Sequence, residues 1–151
     1  MTILVVDDEP DYRLVMRSVL MTEGWNVVLA EHGEDALEKL AEGKIDLVIA
    51  DIYMPIMDGI KLHRKARMMP QHANIPFLFI SAFDDQHTLS AVQDPRLDGF
   101  LKKGRPIEDL LEWIHYLTTP EDERPRTPPS GPQLRLQHRP GIRGSTGTPI
   151  Y

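Results

Sequence analysis

The sequence predicts an α/β domain built on a parallel sheet with helices on both faces. Three observations predict it. Short apolar runs alternate with amphipathic stretches through residues 1–117, at about 20–29 residues per unit. The runs are nearly continuous rather than alternating, as strands covered on both faces must be. Asp7, Asp51, Ser81 and Lys102 stand directly after the first, third, fourth and fifth runs.

Residues 3–6 (ILVV) are rich in β-branched side chains, bounded by acids, and read as the first strand. Pro10 suits the first turn of a helix, with Asp8 or Glu9 available as its cap. Tyr12, Val15, Met16, Val19 and Leu20 recur at helical spacing, and Gly24 closes that helix. Residues 27–30 form the second strand. Ala36, Leu37, Leu40 and Ala41 give the second helix one apolar face, and Gly43 stops it. Residues 47–50 are the third strand, ending at Asp51. A weaker helical pattern follows Gly59 through Leu62, Ala66 and Met69, and ends before Pro70. Residues 77–80 are the fourth strand. The stretch 85–94 is helical by elimination, with Leu89 and Val92 its main apolar contacts. Phe100 and Leu101 open the fifth strand. Ile107, Leu110, Leu111, Ile114 and Leu117 form the cleanest helical stripe, starting at Pro106.

Composition narrows the classes. The 151 residues carry 17 Lys+Arg against 23 Asp+Glu and no cysteine. A disulfide scaffold, a thiolate metal site and a thiol nucleophile are therefore excluded. No apolar run approaches the ~18 residues of a membrane span, and no signal segment is evident, so a soluble, cytoplasmic protein is expected. The charge is uneven. Residues 1–117 hold 12 basic and 20 acidic side chains, whereas residues 118–151 hold five Arg, three acids and seven of the 13 prolines. Two different polymers meet near Leu117.

In open parallel sheets, ligands sit beyond the carboxyl ends of the strands. There the sequence places Asp7, Asp8 and Glu9 after the first strand and Asp51 after the third. Ser81 follows the fourth, and Lys102 and Lys103 the fifth. Carboxylates gathered at one edge repel one another unless a hard divalent cation stands among them, and oxygen ligands suit Mg²⁺. An Asp beside such a cation, with Ser and Lys opposite, is equipped to take a phosphoryl group. Singly these residues have plainer uses: Asp8 can cap the next helix, and a Lys at a strand end is usually solvated. Jointly, four strands supplying complementary groups to one edge argue for a site.

The stretches ILVVDDEP (3–10), LVIADIYMPIMDG (47–59), FLFISA (77–82) and GFLKKGRPIEDLLEWI (99–114), with EHGEDAL (31–37), resemble the receiver domain of two-component response regulators. The resemblance covers residues 1–117. It implies a flavodoxin-like doubly wound five-stranded parallel sheet in the order 2-1-3-4-5, flanked by five helices. Asp51 then matches the phosphoacceptor. Asp7 and Asp8 match the acidic pair that holds Mg²⁺, with Asp51 and the Tyr53 backbone carbonyl completing the protein ligands. Ser81 matches the hydroxyl that bonds the phosphoryl group, and Ala82 the small residue beside it. Phe100 matches the aromatic switch residue that follows Ser81 on activation. Glu9 receives no role. The phosphoryl group is expected from a phosphohistidine on a sensor histidine kinase or histidine phosphotransfer protein, and the output is a downstream protein target. Helices 85–94 and 106–117, with Phe100, would form the signalling face. No enzyme activity is implied beyond the domain's own phosphorylation and dephosphorylation, and a monomer or phosphorylation-linked dimer is expected.

The sequence departs from the pattern after strand five. The family has Lys followed directly by Pro across a cis bond. Here Lys103, three residues past Phe100, is followed by Gly104. A cis bond before a non-proline costs ~2.5–4 kcal/mol, so that geometry is expected to be lost. Lys102 is the competing active-site Lys, but Ile107, Glu108, Leu110 and Leu111 keep register with Lys103. Bulky Tyr53 and Phe83 flank Asp51 and Ser81, which predicts slow loss of the phosphoryl group unless both rings lie out on the surface. His32, His63, His72, His87, His115 and His138 show no ligand spacing and read as surface or loop residues. Lys61, Arg64, Lys65 and Arg67 read as a solvated helix face, with a docking surface as the sharper option.

From residue 118 the chain is rich in Pro, Gly and Arg and is expected to be a disordered tail or linker with no output domain and no nucleic-acid contact. Two rivals remain. One is a degenerate receiver used as a phosphorylation-independent protein-binding module, motivated by Gly104. The other is a flavodoxin-like nucleotide or flavin binder, which lacks its phosphate loop here because three acids follow strand one.

Overall fold

Apolar runs without polar alternation must be covered on both faces, and the computed structural model, which describes residues 1–129, makes them its central layer. The strands are β1 (Thr2–Val6), β2 (Asn26–Ala30), β3 (Leu47–Ala50), β4 (Phe77–Ser81) and β5 (Asp98–Lys102). All pair in parallel, in the order β2-β1-β3-β4-β5. The order is the doubly wound, flavodoxin-like one.

Register does the work that matters for a site. Val6 pairs with both Ala30 and Ala50, Ala50 with Phe79, and Ser81 with Lys102. The residues that follow these partners therefore emerge at one edge. The helices are α1 (Pro10–Thr22), α2 (Gly33–Glu42), α3 (Gly59–Arg67), α4 (Gln86–Leu89) and α5 (Ile107–Thr118). One face of the sheet packs Leu4, Val6, Val48, Phe77 and Phe79 against Leu40 of α2 and Leu62 and Ala66 of α3. The other packs Ile3, Val5, Ile49, Leu78 and Ile80 against Met16 and Leu20 of α1 and Leu110, Trp113, Ile114 and Leu117 of α5. Burying a side chain of this size contributes roughly 1.5–3 kcal/mol, so these two layers carry the fold.

Several expectations need correction. Val15, assigned to the buried stripe of α1, is 59 % exposed, because the helix turns Met16 and Leu20 inward instead. Glu9 is the N-cap of α1 but makes no side-chain cap bond. The helix expected over 85–94 is one short turn, α4. The Asp98 carboxylate accepts hydrogen bonds from Gln93 N (3.2 Å) and Asp94 N (3.0 Å), while Leu97 N and Asp98 N both reach the Asp94 carbonyl. Those bonds draw residues 93–98 into a turn, and Pro95 has no N–H with which to extend a helix.

Asp98 also corrects the reading of the histidines and the basic face. His63 is buried between the Phe77 and Phe79 rings, with Nε2 3.0 Å from Asp98 Oδ1. Arg67 donates to the same oxygen at 2.7 Å and to the Ile75 carbonyl at 2.5 Å, so it is not part of a solvated face. Lys61, Arg64 and Lys65 are exposed. His72 is buried too, its Nε2 2.7 Å from the Leu40 carbonyl.

Nor does the expected disorder extend over residues 118–129. Thr118 ends α5, residues Glu121–Glu123 form a 3₁₀ turn, and Arg124 donates to the carbonyls of Leu117, Thr119 and Arg96 while lying over the Tyr116 ring. The rest of that expectation, residues 130–151 with His138, lies outside the described residues.

The Asp98 network generates a stability prediction. Burial alone would raise the Asp98 pKa, but the hydrogen bond and charge of His63, the Asp94 backbone and Arg67 hold it below the usual carboxylate value. A depressed carboxylate stabilises the fold above its unfolded pKa, and that contribution is lost as pH falls through the folded value. Asp98→Ala should therefore cost about 3 kcal/mol at neutral pH in denaturant unfolding, with the gap to wild type narrowing below roughly pH 4. A gap that stayed constant into acid would contradict this account.

Candidate functional site

The edge at the carboxyl ends of β1, β3, β4 and β5 assembles the residues that the sequence singles out. Asp7 continues past β1, its N–H bonded to the Ala30 carbonyl at 3.1 Å. Asp51 continues past β3, its N–H bonded to the Val6 carbonyl at 3.0 Å. Sheet pairing thus fixes both backbones, and both side chains are buried. Asp51 Oδ1 accepts from Ile52 N (2.6 Å) and Tyr53 N (3.3 Å), leaving Oδ2 toward Lys103.

Lys103 answers the buried charge. Its N–H donates to the Ser81 carbonyl at 2.8 Å, carrying the β4–β5 pairing one residue past β5. Its Nζ lies 2.9 Å from Asp7 Oδ2, 3.0 Å from Asp51 Oδ2 and 3.1 Å from Glu9 Oε1. It also stands 4.3 Å from the centroid of the Tyr12 ring. Burial would lower the ammonium's pKa, but hydrogen bonds to Asp7 and Asp51 hold it above the ordinary lysine value. Burial raises the Asp51 pKa, against the pull of Lys103. Burial also pushes the Tyr12 phenol up to about 12. Lys102 points elsewhere, 3.8 Å from the exposed Asp84.

The loop after Asp51 is held closely. Gly59 N donates to the Ile52 carbonyl at 2.8 Å, and a Cβ at Gly59 would overlap the Asp51 carbonyl oxygen, so only glycine lets α3 begin this near the Asp51 edge of the sheet. Asp58 caps α3 through Lys61 N at 2.8 Å. Ile56, a β-branched residue, sits at φ +71°, a conformation costing of order 1–3 kcal/mol. Gly104 sits at φ +90° with open space around it, and there is no cis peptide bond among the described residues.

Ser81 is fully buried, and its Oγ accepts from Phe83 N at 3.2 Å. Phe100 is fully buried in the α2/α3 layer, paired in register with Phe79. Tyr53 and Phe83 meet edge to face at 5.4 Å, and both are half out in solvent, 40 % and 57 % exposed. The Tyr53 hydroxyl bonds Asp85 at 3.1 Å, and Asp85 in turn caps α4 through Thr88 N at 2.8 Å. Sequence reasoning missed Asp85, Tyr12 and the partner of Glu9. Only the extra acid in the run after β1 pointed toward the last of these.

Carboxylate oxygens of Asp7, Asp8 and Asp51 lie within 4.8 Å of one another. Three hard oxygen donors at that spacing, one of them exposed, fit a cation of the Mg²⁺ kind. A carboxylate so placed, with an ammonium at 3.0 Å, can act as a nucleophile while positive charge offsets the negative oxygens of an incoming group.

Comparison with known proteins agrees with this geometry. Residues 3–115 match the family model described as the response regulator receiver domain. The response regulator MprA of Mycolicibacterium vanbaalenii is 35 % identical over 123 residues, which cover 80 % of this chain and 52 % of that protein. The chain thus spans about half the length of the curated relatives it matches. Among solved structures, the chemotaxis protein CheY4 of Vibrio cholerae superposes with a TM-score of 0.72 at 27 % identity, covering 77 % of this chain and 97 % of that one. The response regulator TrrA of Thermotoga maritima, solved in complex with Mg²⁺ and BeF, gives 0.67 at 31 % identity over 77 % and 97 %. The chain belongs to the response regulator receiver domain family.

Proposed function

We propose that Asp51 accepts a phosphoryl group from a phosphohistidine on a sensor histidine kinase or histidine phosphotransfer protein, and that the domain acts as a phosphorylation switch or relay through protein contacts. The observation that carries this reading is the Lys103 ammonium held between Asp7 and Asp51 at the edge where Ser81 also ends its strand. An Asp51 oxygen forms the new bond to phosphorus as the phosphorus–nitrogen bond breaks. The leaving imidazole nitrogen keeps the electron pair and takes a proton from solvent. Lys103 offsets charge on the transferring oxygens, and the Ser81 hydroxyl, now occupied by Phe83 N, can turn to bond one of them. Asp7, Asp8, Asp51 and the Tyr53 carbonyl would hold Mg²⁺, which supplies further charge neutralisation when bound. The domain acts on no substrate but itself. It works in the cytoplasm, where such kinases present their phosphohistidine, and hands its state to a downstream protein target.

None of the helices among the described residues is long and apolar enough to cross a membrane. About half of the length of the MprA relative lies outside the matched region, and nothing of that part is carried over to this chain.

Two outcomes are expected. Incubating the protein with Mg²⁺ and a small phosphodonor or beryllofluoride should give a Mg²⁺-dependent response, read by mass or by the fluorescence of Trp25 and Trp113, that Asp51→Asn abolishes. An identical response in Asp51→Asn would contradict the assignment, and no response in wild type would favour the binding-module reading. Secondly, the Tyr53–Phe83 pair supports slow phosphate loss, since two rings at the rim hinder in-line attack by water. Tyr53→Ala with Phe83→Ala should speed dephosphorylation by about tenfold, equivalent to ~1.4 kcal/mol of barrier. An unchanged lifetime would show that the rings lie clear of the water's path.

A further inference from the structure

The geometry points to Glu9 and Tyr12 as positioning residues that form a socket for the Lys103 ammonium, restraining by charge and ring contact a lysine whose own loop restrains it little. The inference rests on the proposed role of Asp51. It concerns Glu9, to which the family resemblance gave no role, and Tyr12, which the sequence placed only on the apolar stripe of α1.

Lys103 leaves the sheet after a single pairing bond to the Ser81 carbonyl, and the next residue is Gly104 at φ +90°, around which a Cβ would meet nothing within 4 Å. Glycine there adds no steric restriction of its own, and no neighbouring wall stands against it. Yet the side chain is only 15 % exposed and its ammonium is fully engaged. Two of its four partners, Asp7 and Asp51, directly follow strands, and the other two belong to the start of α1. Glu9, the N-cap, lies 3.1 Å from Nζ, and the ring centroid of Tyr12, in the first turn, lies 4.3 Å from it.

The start of α1 is a rigid mount for them. Glu9 N donates to Asp7 Oδ1 at 2.9 Å, Pro10 occupies the first helical turn, Arg13 N reaches the Glu9 carbonyl, and Arg13 Nη1 reaches the Asp7 carbonyl at 2.5 Å. Glu9 leaves the capping role at α1 unused, which frees its carboxylate for Lys103. An exposed ion pair is ordinarily worth little. Here the ammonium is mostly buried and lies over a ring while the Glu9 carboxylate is 66 % exposed, so the pair is screened on one side only. Glu9 also lies outside the Asp7–Asp8–Asp51 group, so its hold on the ammonium persists when those carboxylates are engaged by a cation or a phosphoryl group.

The test uses the full chain and two readouts. The first needs no ligand: the lysine-ammonium NMR signal of Lys103, which is resolved only while the ammonium is held and shielded from exchange. It should persist in wild type, Glu9→Asp, Tyr12→Phe and Asp11→Asn, and be lost in Glu9→Gln and Tyr12→Leu. The second is affinity for beryllofluoride with Mg²⁺, which Glu9→Gln should weaken about fivefold, the upper range for a partly exposed ion pair, and Glu9→Asp should restore. Asp11 is exposed in the same turn and controls for net charge. Glu9 is exposed, so Glu9→Gln reports even where Tyr12→Leu is destabilised. An ammonium signal and affinity unchanged in Glu9→Gln would overturn the socket, as would an equal loss in Asp11→Asn. A wild type that ignores beryllofluoride would sink the role of Asp51, while the ammonium signal would still decide the socket.

Discussion

Two carboxylates buried at the edge of a parallel sheet must have a positive partner, and the rest of this molecule is arranged around supplying one. Asp7 and Asp51 are held on neighbouring strands by the pairing of Val6 with Ala50, so neither can move away to relieve the charge. Lys103 enters between them from β5, two strands beyond β3. Removing water raises the cost of each charge and strengthens the attraction between them, so the cluster is held tightly yet stays responsive to any further cation or anion.

The opposite end of the sheet is tied in another way. Asp98, at the start of β5, collects His63 and Arg67 from α3 and the backbone of 93–94. The strand that aims Lys103 at one end is thus anchored through a buried carboxylate at the other. Between the two ends, α4 is a single turn capped by Asp85, which also bonds the Tyr53 hydroxyl beside Asp51. The segment lying nearest the rim is therefore the least supported by regular structure, and it touches the site through side chains rather than through the sheet.

Much of this was legible in the residues. The unbroken apolar runs named the strands within a residue or two, and the residues following them named the edge, because parallel pairing leaves strand ends no other place to go. What stayed hidden depends on partners far along the chain. His63 looks like any isolated histidine until Asp98, 35 positions later, and the two Phe rings enclose it. The same aspartate unwinds the expected helix over 85–94. Glu9 was visible as an acid, but its partner lies 94 positions away. Apolar spacing also overstated α1, where Val15 fits the stripe yet faces outward, and it passed over Trp113, which is central to the α5 layer.

The central claim is that one carboxylate, Asp51, takes the phosphoryl group. Borohydride reduces an acyl phosphate on aspartate to homoserine, so treating the phosphorylated protein and mapping its peptides by mass locates the acceptor directly. Homoserine is expected at position 51, formed only after incubation with phosphodonor and Mg²⁺. Homoserine at position 7 or 8, with Asp51 intact, would contradict it.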